Sequence, residues 1–222
     1  MRRASYARLV ADDTATRPQT RAERRDQATA DTHGAILAAA RACLLADGYA
    51  NLSTRRVAEA AGVPLSQIHY HFGSKQALIL ALLEAENVRL LERQRAMFGG
   101  PEPLWQQWER ACDFFDEDLQ SGYVRILQEM TAAGWSDPAV AAAVRSFQSG
   151  WYKLLAEVAE REGHRLGGLG PFSPAEVGAL MGLPFLGAES TILLGFPEDV
   201  VPARSALRKI GQVIRMLEER PT

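Results

Sequence analysis

Residues 52–75 read LSTRRVAEAAGVPLSQIHYHFGSK, and this stretch decides the fold. Ser53 is suited to cap a short helix, and Gly62 can take the left-handed conformation at which that helix must end. Ile68 and Phe72, four residues apart, give the following segment a single inward-facing stripe. The pattern predicts two short helices joined by a tight turn. That is a helix-turn-helix, whose second helix is narrow enough to enter the major groove of DNA.

Small and apolar residues around the turn support the same interpretation. Leu52 and Val57 occupy the positions of a hydrophobic staple, which fixes how the chain enters the first helix. Ala58 and Ala61 keep the packed face small, so that the two helices can approach closely. Val63 follows the turn and is placed to fill the angle between the helices.

Composition and length indicate a globular chain. It has 222 residues, of which 47% are hydrophobic, enough for a sizeable core. No apolar stretch reaches the roughly 18 residues that a membrane span needs, and residues 1–31 lack the apolar segment of a secretory signal. We therefore expect a cytoplasmic protein. Cys43 and Cys112 are too few for a disulfide framework and are interpreted as core thiols rather than as a redox switch.

Charge is divided unevenly along the chain. The formal net charge is −2, which is unpromising for a nucleic-acid binder because phosphate neutralisation supplies much of the affinity for DNA. Residues 1–95, however, carry +4 and residues 96–222 carry −6. This asymmetry fits a DNA-facing N-terminal part and a C-terminal part with another task.

Helical periodicity continues on both sides of the motif, and the predicted fold class is all-α. Residues 1–31 show no apolar periodicity and are expected to form a mobile basic arm. A first helix is expected from about Thr32 to Asp47, with Gly48 ending it. We predict a three-helix DNA-binding domain over 32–78 and a C-terminal helical bundle for ligand binding and dimerisation over 79–222.

Residues 32–85 closely resemble the DNA-binding domain of the TetR family of bacterial transcriptional regulators. The resemblance covers about a quarter of the chain and rests on the order of its features. These are Gly48-Tyr49, Leu52-Ser53-Thr54, Val57-Ala58, Ala61-Gly62-Val63, Ile68, Tyr70-His71-Phe72, Ser74-Lys75 and Ala77-Leu78.

The resemblance implies particular contacts with DNA at the start of each helix. Thr54 and Lys75 lie where family members hold phosphates, Thr54 at a helix N-terminus that favours an anion. Arg55 matches a position from which an arginine reaches a base edge, most plausibly guanine. Arg56 is its phosphate-facing or solvated neighbour.

The second helix of the motif supplies the candidate base-reading side chains. Gln67 is chemically able to read adenine, and Leu65 could contact a thymine methyl. For Tyr70 and His71, a place in the packing of the domain is the alternative. The full set of recognition-helix candidates is Leu65, Ser66, Gln67, His69, Tyr70 and His71.

Two positions depart from the family pattern. Family members often have Ser where this chain has Pro64, and often Tyr where it has His69. Proline can still open a helix, so the departures affect base preference rather than fold. His69 and His71 lie on opposite sides of a helix and have no further ligand nearby in sequence, so we expect no metal and no cofactor.

Aromatic residues are concentrated in the C-terminal part, where the family binds its inducer. They form either an ordinary core or the lining of a pocket for a mostly hydrophobic small molecule. The acidic run Asp116-Glu117-Asp118 could point to cationic ligands instead, or be a solvated face. The candidate ligand-binding residues are Trp105, Trp108, Cys112, Phe115, Tyr123, Met130, Phe147 and Trp151.

The last two predicted helices, about 174–194 and 202–219, have apolar stripes that a monomer would leave partly exposed. They resemble half of a four-helix bundle between the subunits of a homodimer. A two-fold dimer predicts an inverted-repeat operator with half-sites roughly 34 Å apart, or a multiple of that.

The leading functional hypothesis is a repressor that a small-molecule effector releases from its operator, with the fourth helix as lever. An architectural protein that binds DNA without sequence choice is the alternative. No nucleophile–base pairing, metal set or phosphate loop emerges, and an enzyme is not expected.

Overall fold

A computed structural model describes residues 20–165 and 167–219, and within these ranges it contains helices and no strand. The predicted all-α class is confirmed. The helices are α1 (Arg21–Asn51), α2 (Thr54–Ala61), α3 (Leu65–Phe72), α4 (Lys75–Phe98), α5 (Leu104–Ser121), α6 (Tyr123–Gly134), α7 (Pro138–Arg165), α8 (Pro174–Leu193) and α9 (Ala203–Glu218).

Helix α1 begins earlier than the sequence predicted. The Thr20 side chain accepts a hydrogen bond from the Glu23 backbone N–H, and the Glu23 carboxylate accepts one from the Thr20 N–H. This capping box starts a helix whose first turns are exposed on all sides, so no apolar periodicity announced them. The expectation of a mobile arm is therefore wrong for residues 21–31, and its remainder, 1–19, lies outside the described residues.

The turns of the helix-turn-helix form as the sequence predicted. The Ser53 hydroxyl accepts a hydrogen bond from the Arg56 N–H and caps α2. Gly62 ends α2 with φ of 66°, in the left-handed region that favours glycine. Pro64 precedes α3 and provides no side-chain cap, whereas Ser74 caps α4 through the Ala77 N–H.

Two large apolar cores and a small cluster of Tyr123, Leu127 and Phe147 lie along the long helices. The first contains Leu78 and Leu82 of α4, with residues of α1, α2, α3, α6 and α7. The second is built from α5, α7, α8 and α9, and Phe98 joins it from the far end of α4. Helix α4 therefore spans both cores, and the expected domain boundary at residue 78 falls within its first turn.

The C-terminal helices pack closely through small residues and one buried hydrogen bond. Trp108 of α5 is 1% exposed, and its Nε1 donates to the Leu207 carbonyl of α9 over 2.7 Å. Gly178 of α8 lies so close to the backbone of α7 that a Cβ atom would be 2.8 Å from the Ala156 nitrogen. Among the described helices, none is long and apolar enough to cross a membrane.

Candidate DNA-binding surface and effector cavity

Helix α3 is held by one buried side chain, and several of its polar side chains are exposed, although the His69 ring is hydrogen-bonded to the Gly73 carbonyl. Ile68 is fully buried in the first core, and Phe72 packs against that core beside it. Ser66 and His69 are exposed, and Tyr70 is 76% exposed although it is a large aromatic residue. Gln67 is half-buried. An exposed tyrosine on a short, well-anchored helix is suited to contact a partner.

Two of the recognition-helix candidates are partly committed to packing. Leu65 is half-buried and packs against the first core, so less of it is available for a thymine methyl. The His71 ring lies edge-on to that of His33, with centroids 5.8 Å apart, and Tyr70 stacks edge-on against it at 5.1 Å. This is the packing alternative that the sequence had left open for His71.

The start of α2 presents one free arginine and one paired arginine. Arg55 is exposed, and Thr54 beside it is half-buried at the helix N-terminus. Arg56 places its Nε 2.6 Å from Oδ2 of Asp47, at the end of α1. The ion pair holds Arg56 against its own domain, which leaves Arg55 as the better-placed candidate for a base contact.

Lys75, the candidate phosphate ligand of α4, is anchored to the end of α1. Its Nζ donates to the Tyr49 carbonyl over 3.2 Å and lies 5.2 Å from the centre of the Tyr49 ring. The ammonium group is half-buried there and remains at the edge of the helix-turn-helix. This contact fixes a positive charge close to α3.

An internal cavity of about 60 Å³ lies between α4, α5, α6, α7 and α8. Aromatic and aliphatic residues line it in equal number, with Leu127, Leu155 and Met181 among the aliphatic ones. The aromatic residues of the lining are Phe98, Trp108, Phe115, Tyr123, Phe147, Trp151 and Phe185.

Five of the eight candidate ligand-binding residues line this cavity: Trp108, Phe115, Tyr123, Phe147 and Trp151. Helical periodicity pointed to four of them, because Trp108 and Phe115 share an inward-facing stripe of α5 and Phe147 and Trp151 share one of α7. Tyr123, at the start of α6, was proposed as a polar group of the lining.

The other three candidates lie outside the lining of this cavity. Met130 is fully buried in the first core, beside the helix-turn-helix. Trp105 faces α9, where the Arg215 guanidinium lies 4.9 Å from its ring centre. Cys112 is buried in the second core outside the lining, and burial raises the pKa of its thiol to about 11. Helical spacing selected apolar residues of these helices, but these three lie one turn away from the cavity or on another face of the helix.

Sequence reasoning missed the residues that α4 and α8 contribute. Leu90 and Gln94 come from α4, and Phe185 and Glu189 come from α8. A signal for Glu189 was present, because it is the single charged residue between positions 177 and 197. A single acidic residue in such an apolar helix indicates a specific role, because charged residues are seldom buried without a partner.

Two carboxylates reach the cavity, and they differ in their partners. Asp118 is bonded to the Arg93 guanidinium, which also lies 4.2 Å from the Phe114 ring centre. Glu189 is 7% exposed and accepts a hydrogen bond from Gln128 Nε2 over 2.6 Å. Within the described part of the chain, it forms no ion pair with Lys, Arg or His. Burial raises the pKa of Glu189 to about 7.

An exposed recognition helix joined to a helical bundle with a cavity is typical of the class of helix-turn-helix transcriptional regulators. Residues 36–82 match the sequence model of bacterial regulatory proteins of the tetR family. This match confirms the resemblance seen in the motif. The family consists of DNA-binding transcriptional regulators rather than enzymes.

Named regulators are similar to parts of the chain. The regulator CymR of Pseudomonas putida is 32% identical over 126 residues, which are 55% of this chain and 58% of CymR. The repressor AcnR of Corynebacterium efficiens is 40% identical over 57 residues, 26% of this chain and 30% of AcnR. The matches therefore span less than two thirds of either relative.

Solved structures resemble nearly the whole described fold. A TetR-family regulator from Rhodococcus sp. has a TM-score of 0.69 at 21% identity, covering 83% of this chain and 98% of that one. A transcriptional regulator from Saccharomonospora viridis, in complex with choline, has a TM-score of 0.68 at 18% identity, covering 84% and 96%. At these identities the likeness establishes the fold.

Proposed function

We propose that this regulator is a repressor that binds an inverted-repeat operator as a homodimer and is released by a small, mostly hydrophobic ligand. The observation that carries the proposal is the position of α6. One face of this helix lines the cavity with Tyr123, Val124 and Leu127. Another face is hydrogen-bonded to α1, through Arg125 to the Leu45 carbonyl at 2.9 Å. A change of cavity size can therefore reach the DNA-binding domain directly.

Sequence-specific binding is assigned to the exposed face of α3 and the start of α2. Arg55, Ser66, Gln67, His69 and Tyr70 supply the donors, acceptors and apolar surface that base edges recognise. Phosphate contacts are assigned to Thr54, Lys75 and Arg56, the last two of which are also bonded to Tyr49 and Asp47 of their own domain. Leu65 and His71 are given smaller parts in DNA binding because they pack within the domain.

Cavity volume supports a ligand-driven mechanism. The space of about 60 Å³ is far below the roughly 300–1,000 Å³ of typical small-molecule sites. A ligand must push the surrounding helices apart to enter, and α4 is among them with Leu90, Gln94 and Phe98. Since α4 continues into the first core, expansion at one end displaces the helix-turn-helix at the other. A ligand that binds the expanded state better shifts the population toward it.

Exposed apolar residues on α8 and α9 support a dimer. Leu180 and Leu183 of α8 are 57% and 55% exposed, and Met216 of α9 is 68% exposed. Val213 lies one turn before Met216 and is also exposed. A contiguous apolar surface on two neighbouring helices is typical of an interface between identical subunits.

Selection of bound duplexes from a random DNA pool, followed by fluorescence anisotropy with the selected sequence, tests the proposal. We expect an inverted repeat with half-sites one helical turn, or a multiple, apart. Its affinity should exceed that for scrambled DNA by about 10³-fold or more. A ratio near one would show an architectural protein instead. Displacement of the bound duplex by small hydrophobic compounds then tests the release step.

A further inference from the structure

Glu189 occupies a costly position in the cavity wall. Its carboxylate is 7% exposed and has one described hydrogen-bond donor, Gln128. The other carboxylate of the lining, Asp118, is paired with Arg93, so Glu189 supplies the unpaired negative charge of the site when it is ionised. A buried carboxylate without a cation destabilises a fold, and an apolar residue there would avoid that cost. The position therefore calls for a partner that is not part of the described chain.

Aromatic rings surround Phe185, which lies one helical turn before Glu189 on α8. Phe185 precedes Glu189 by four residues, so both side chains lie on one face of α8. The Phe185 ring centre is 5.2 Å from that of Trp108, 5.6 Å from that of Phe115 and 6.5 Å from that of Trp151. Ring faces attract a desolvated cation.

Tyr123 completes this side of the cavity. It lines the same cavity as Glu189, and burial raises the pKa of its hydroxyl, with the charge of Glu189 adding to the effect. A carboxylate bordered by aromatic rings combines a counter-ion with polarisable walls.

Trp151 is a second, independent indication of a ligand site, because its buried N–H lacks a hydrogen-bond acceptor among the described residues. Its indole Nε1 is buried and has no hydrogen-bond partner among the described residues, although Trp151 lines the cavity. Buried donors are normally paired, so this N–H is suited to an acceptor atom on a bound molecule.

We propose that this cavity takes a lipophilic cation, an amine or quaternary ammonium carried on an apolar body, with Glu189 as its counter-ion. The aromatic walls bury the body, and an oxygen acceptor on the ligand would engage Trp151. The proposal names the ligand class of the effector site and so rests on the proposed function. Binding itself is nevertheless measurable without DNA.

Benzyltrimethylammonium and neopentylbenzene form a matched pair of probes, because they differ only in a quaternary nitrogen replaced by carbon. Two tryptophans line the cavity, and their fluorescence reports occupancy. The neutral probe gains more from leaving water, so a preference for the cation must come from the site. We expect the cation to bind the full-length protein at least about tenfold more tightly.

Glu189→Gln keeps the shape and the contact with Gln128 but removes the charge, and it should abolish the preference for the cation. Glu157→Gln is the matched control, because Glu157 is exposed on α7 and outside the lining. It should leave both affinities unchanged. Circular dichroism and thermal unfolding establish that both variants are folded.

The outcomes separate this inference from the proposed function. Equal binding of the two probes, binding of neither, or an unchanged preference in Glu189→Gln overturns the lipophilic-cation site. If benzyltrimethylammonium binds with the expected preference but leaves operator affinity unchanged, the site stands and release from DNA through this cavity is refuted.

Discussion

Glu129 of α6 accepts a hydrogen bond from the backbone N–H of Tyr49, with its Oε2 2.6 Å from the nitrogen. The N–H is available because Gly48, at φ of 76°, ends the regular part of α1. Arg125, one turn earlier on α6, bonds both to Glu129 Oε1 at 3.1 Å and to the Leu45 carbonyl at 2.9 Å. The end of α1 is therefore fastened to α6 by its backbone.

This connection changes the expected route of communication. The sequence indicated α4 as the lever, because it is shared between the two parts of the chain. In the structure α4 spans both cores, as that role requires, and α6 offers a second connection. Helix α6 (Tyr123–Gly134) is twelve residues long and contacts both the cavity and α1. Both routes end in the first core.

Glu129→Ala tests the α6 route. Without the carboxylate, movement of α6 is transmitted less well to α1. The loss of operator affinity caused by saturating benzyltrimethylammonium should therefore shrink several-fold from the roughly 5–150-fold range of typical allosteric coupling. Fluorescence anisotropy of labelled operator, with and without the probe, measures this ratio. Binding of the probe in the absence of DNA should be unchanged, because Glu129 does not line the cavity.

Glu92→Ala is the matched control for that experiment, since Glu92 is exposed on α4 and forms no described ion pair. It should retain the full effect of the probe. Undiminished coupling in Glu129→Ala would show that α4 alone transmits the signal.

Arg55→Ala tests the assignment of base recognition. The Arg55 side chain is exposed and forms no described ion pair, so its removal should not affect folding. We expect specific binding to weaken by about 1–3 kcal/mol and one base position of the operator to become degenerate. Arg145→Ala, an exposed arginine on α7, removes the same charge outside the helix-turn-helix and should have little effect. Equal losses in the two variants would point to bulk electrostatics.

Lys75→Ala, in contrast, should weaken binding to operator and to scrambled DNA by the same factor, because a phosphate contact carries no sequence information. It also removes the hydrogen bond to Tyr49, so the stability of the variant must be measured beside its affinity. If affinity falls for operator DNA but not for scrambled DNA, Lys75 recognises a base rather than a phosphate.

Local signals made the helix-turn-helix predictable. Ser53, Gly62 and Ser74 act through bonds or backbone angles within a few residues, and each does in the structure what its residue type predicts. The cavity depends on which faces of five separate helices meet. Periodicity shows that a face is apolar but not which other face it will meet, so Met130 was placed in the cavity and Phe185 was missed. The start of α1 was missed because its first turns bury nothing.

Leu183→Glu tests the dimer through α8 and α9. The side chain is 55% exposed in the single chain, so a charge there costs the monomer little, whereas two facing carboxylates in a two-fold interface repel each other. We expect a monomer by analytical ultracentrifugation and a large loss of operator affinity. Val88→Glu, at an exposed apolar position of α4, is the control and should remain dimeric. A dimeric Leu183→Glu protein would place the interface elsewhere.

Gly62→Ala and Gly34→Ala should change stability in opposite directions. No heavy atom lies within 4 Å of a Cβ at either position, so backbone conformation alone decides. Gly62 has φ of 66°, where alanine is strained, and its substitution should cost about 1 kcal/mol. Gly34 lies within α1, where alanine is favoured by about 1 kcal/mol. Urea unfolding followed by circular dichroism measures both, and a shared sign would contradict the assigned conformation of Gly62.

Glu189 also predicts how stability depends on pH. Burial raises its pKa from the ordinary value of 4.5 to about 7, and the charge of Asp118 contributes in the same direction. Between these values the folded chain holds a proton that the unfolded chain releases. The stabilising contribution of Glu189 to the free energy of unfolding is therefore complete below pH 4.5 and is lost as the pH rises through 7.

Urea unfolding of the wild-type protein and of Glu189→Gln at pH 5 and pH 8 isolates this contribution, because all other titrating groups, including Tyr123 and Tyr152 beside Glu189, are common to both. Relative to the variant, the wild type should lose up to about 3 kcal/mol between the two pH values. Equal changes in the two proteins would mean that Glu189 is already compensated in the folded chain. A bound lipophilic cation should reduce the difference, since it stabilises the charged carboxylate and lowers its pKa.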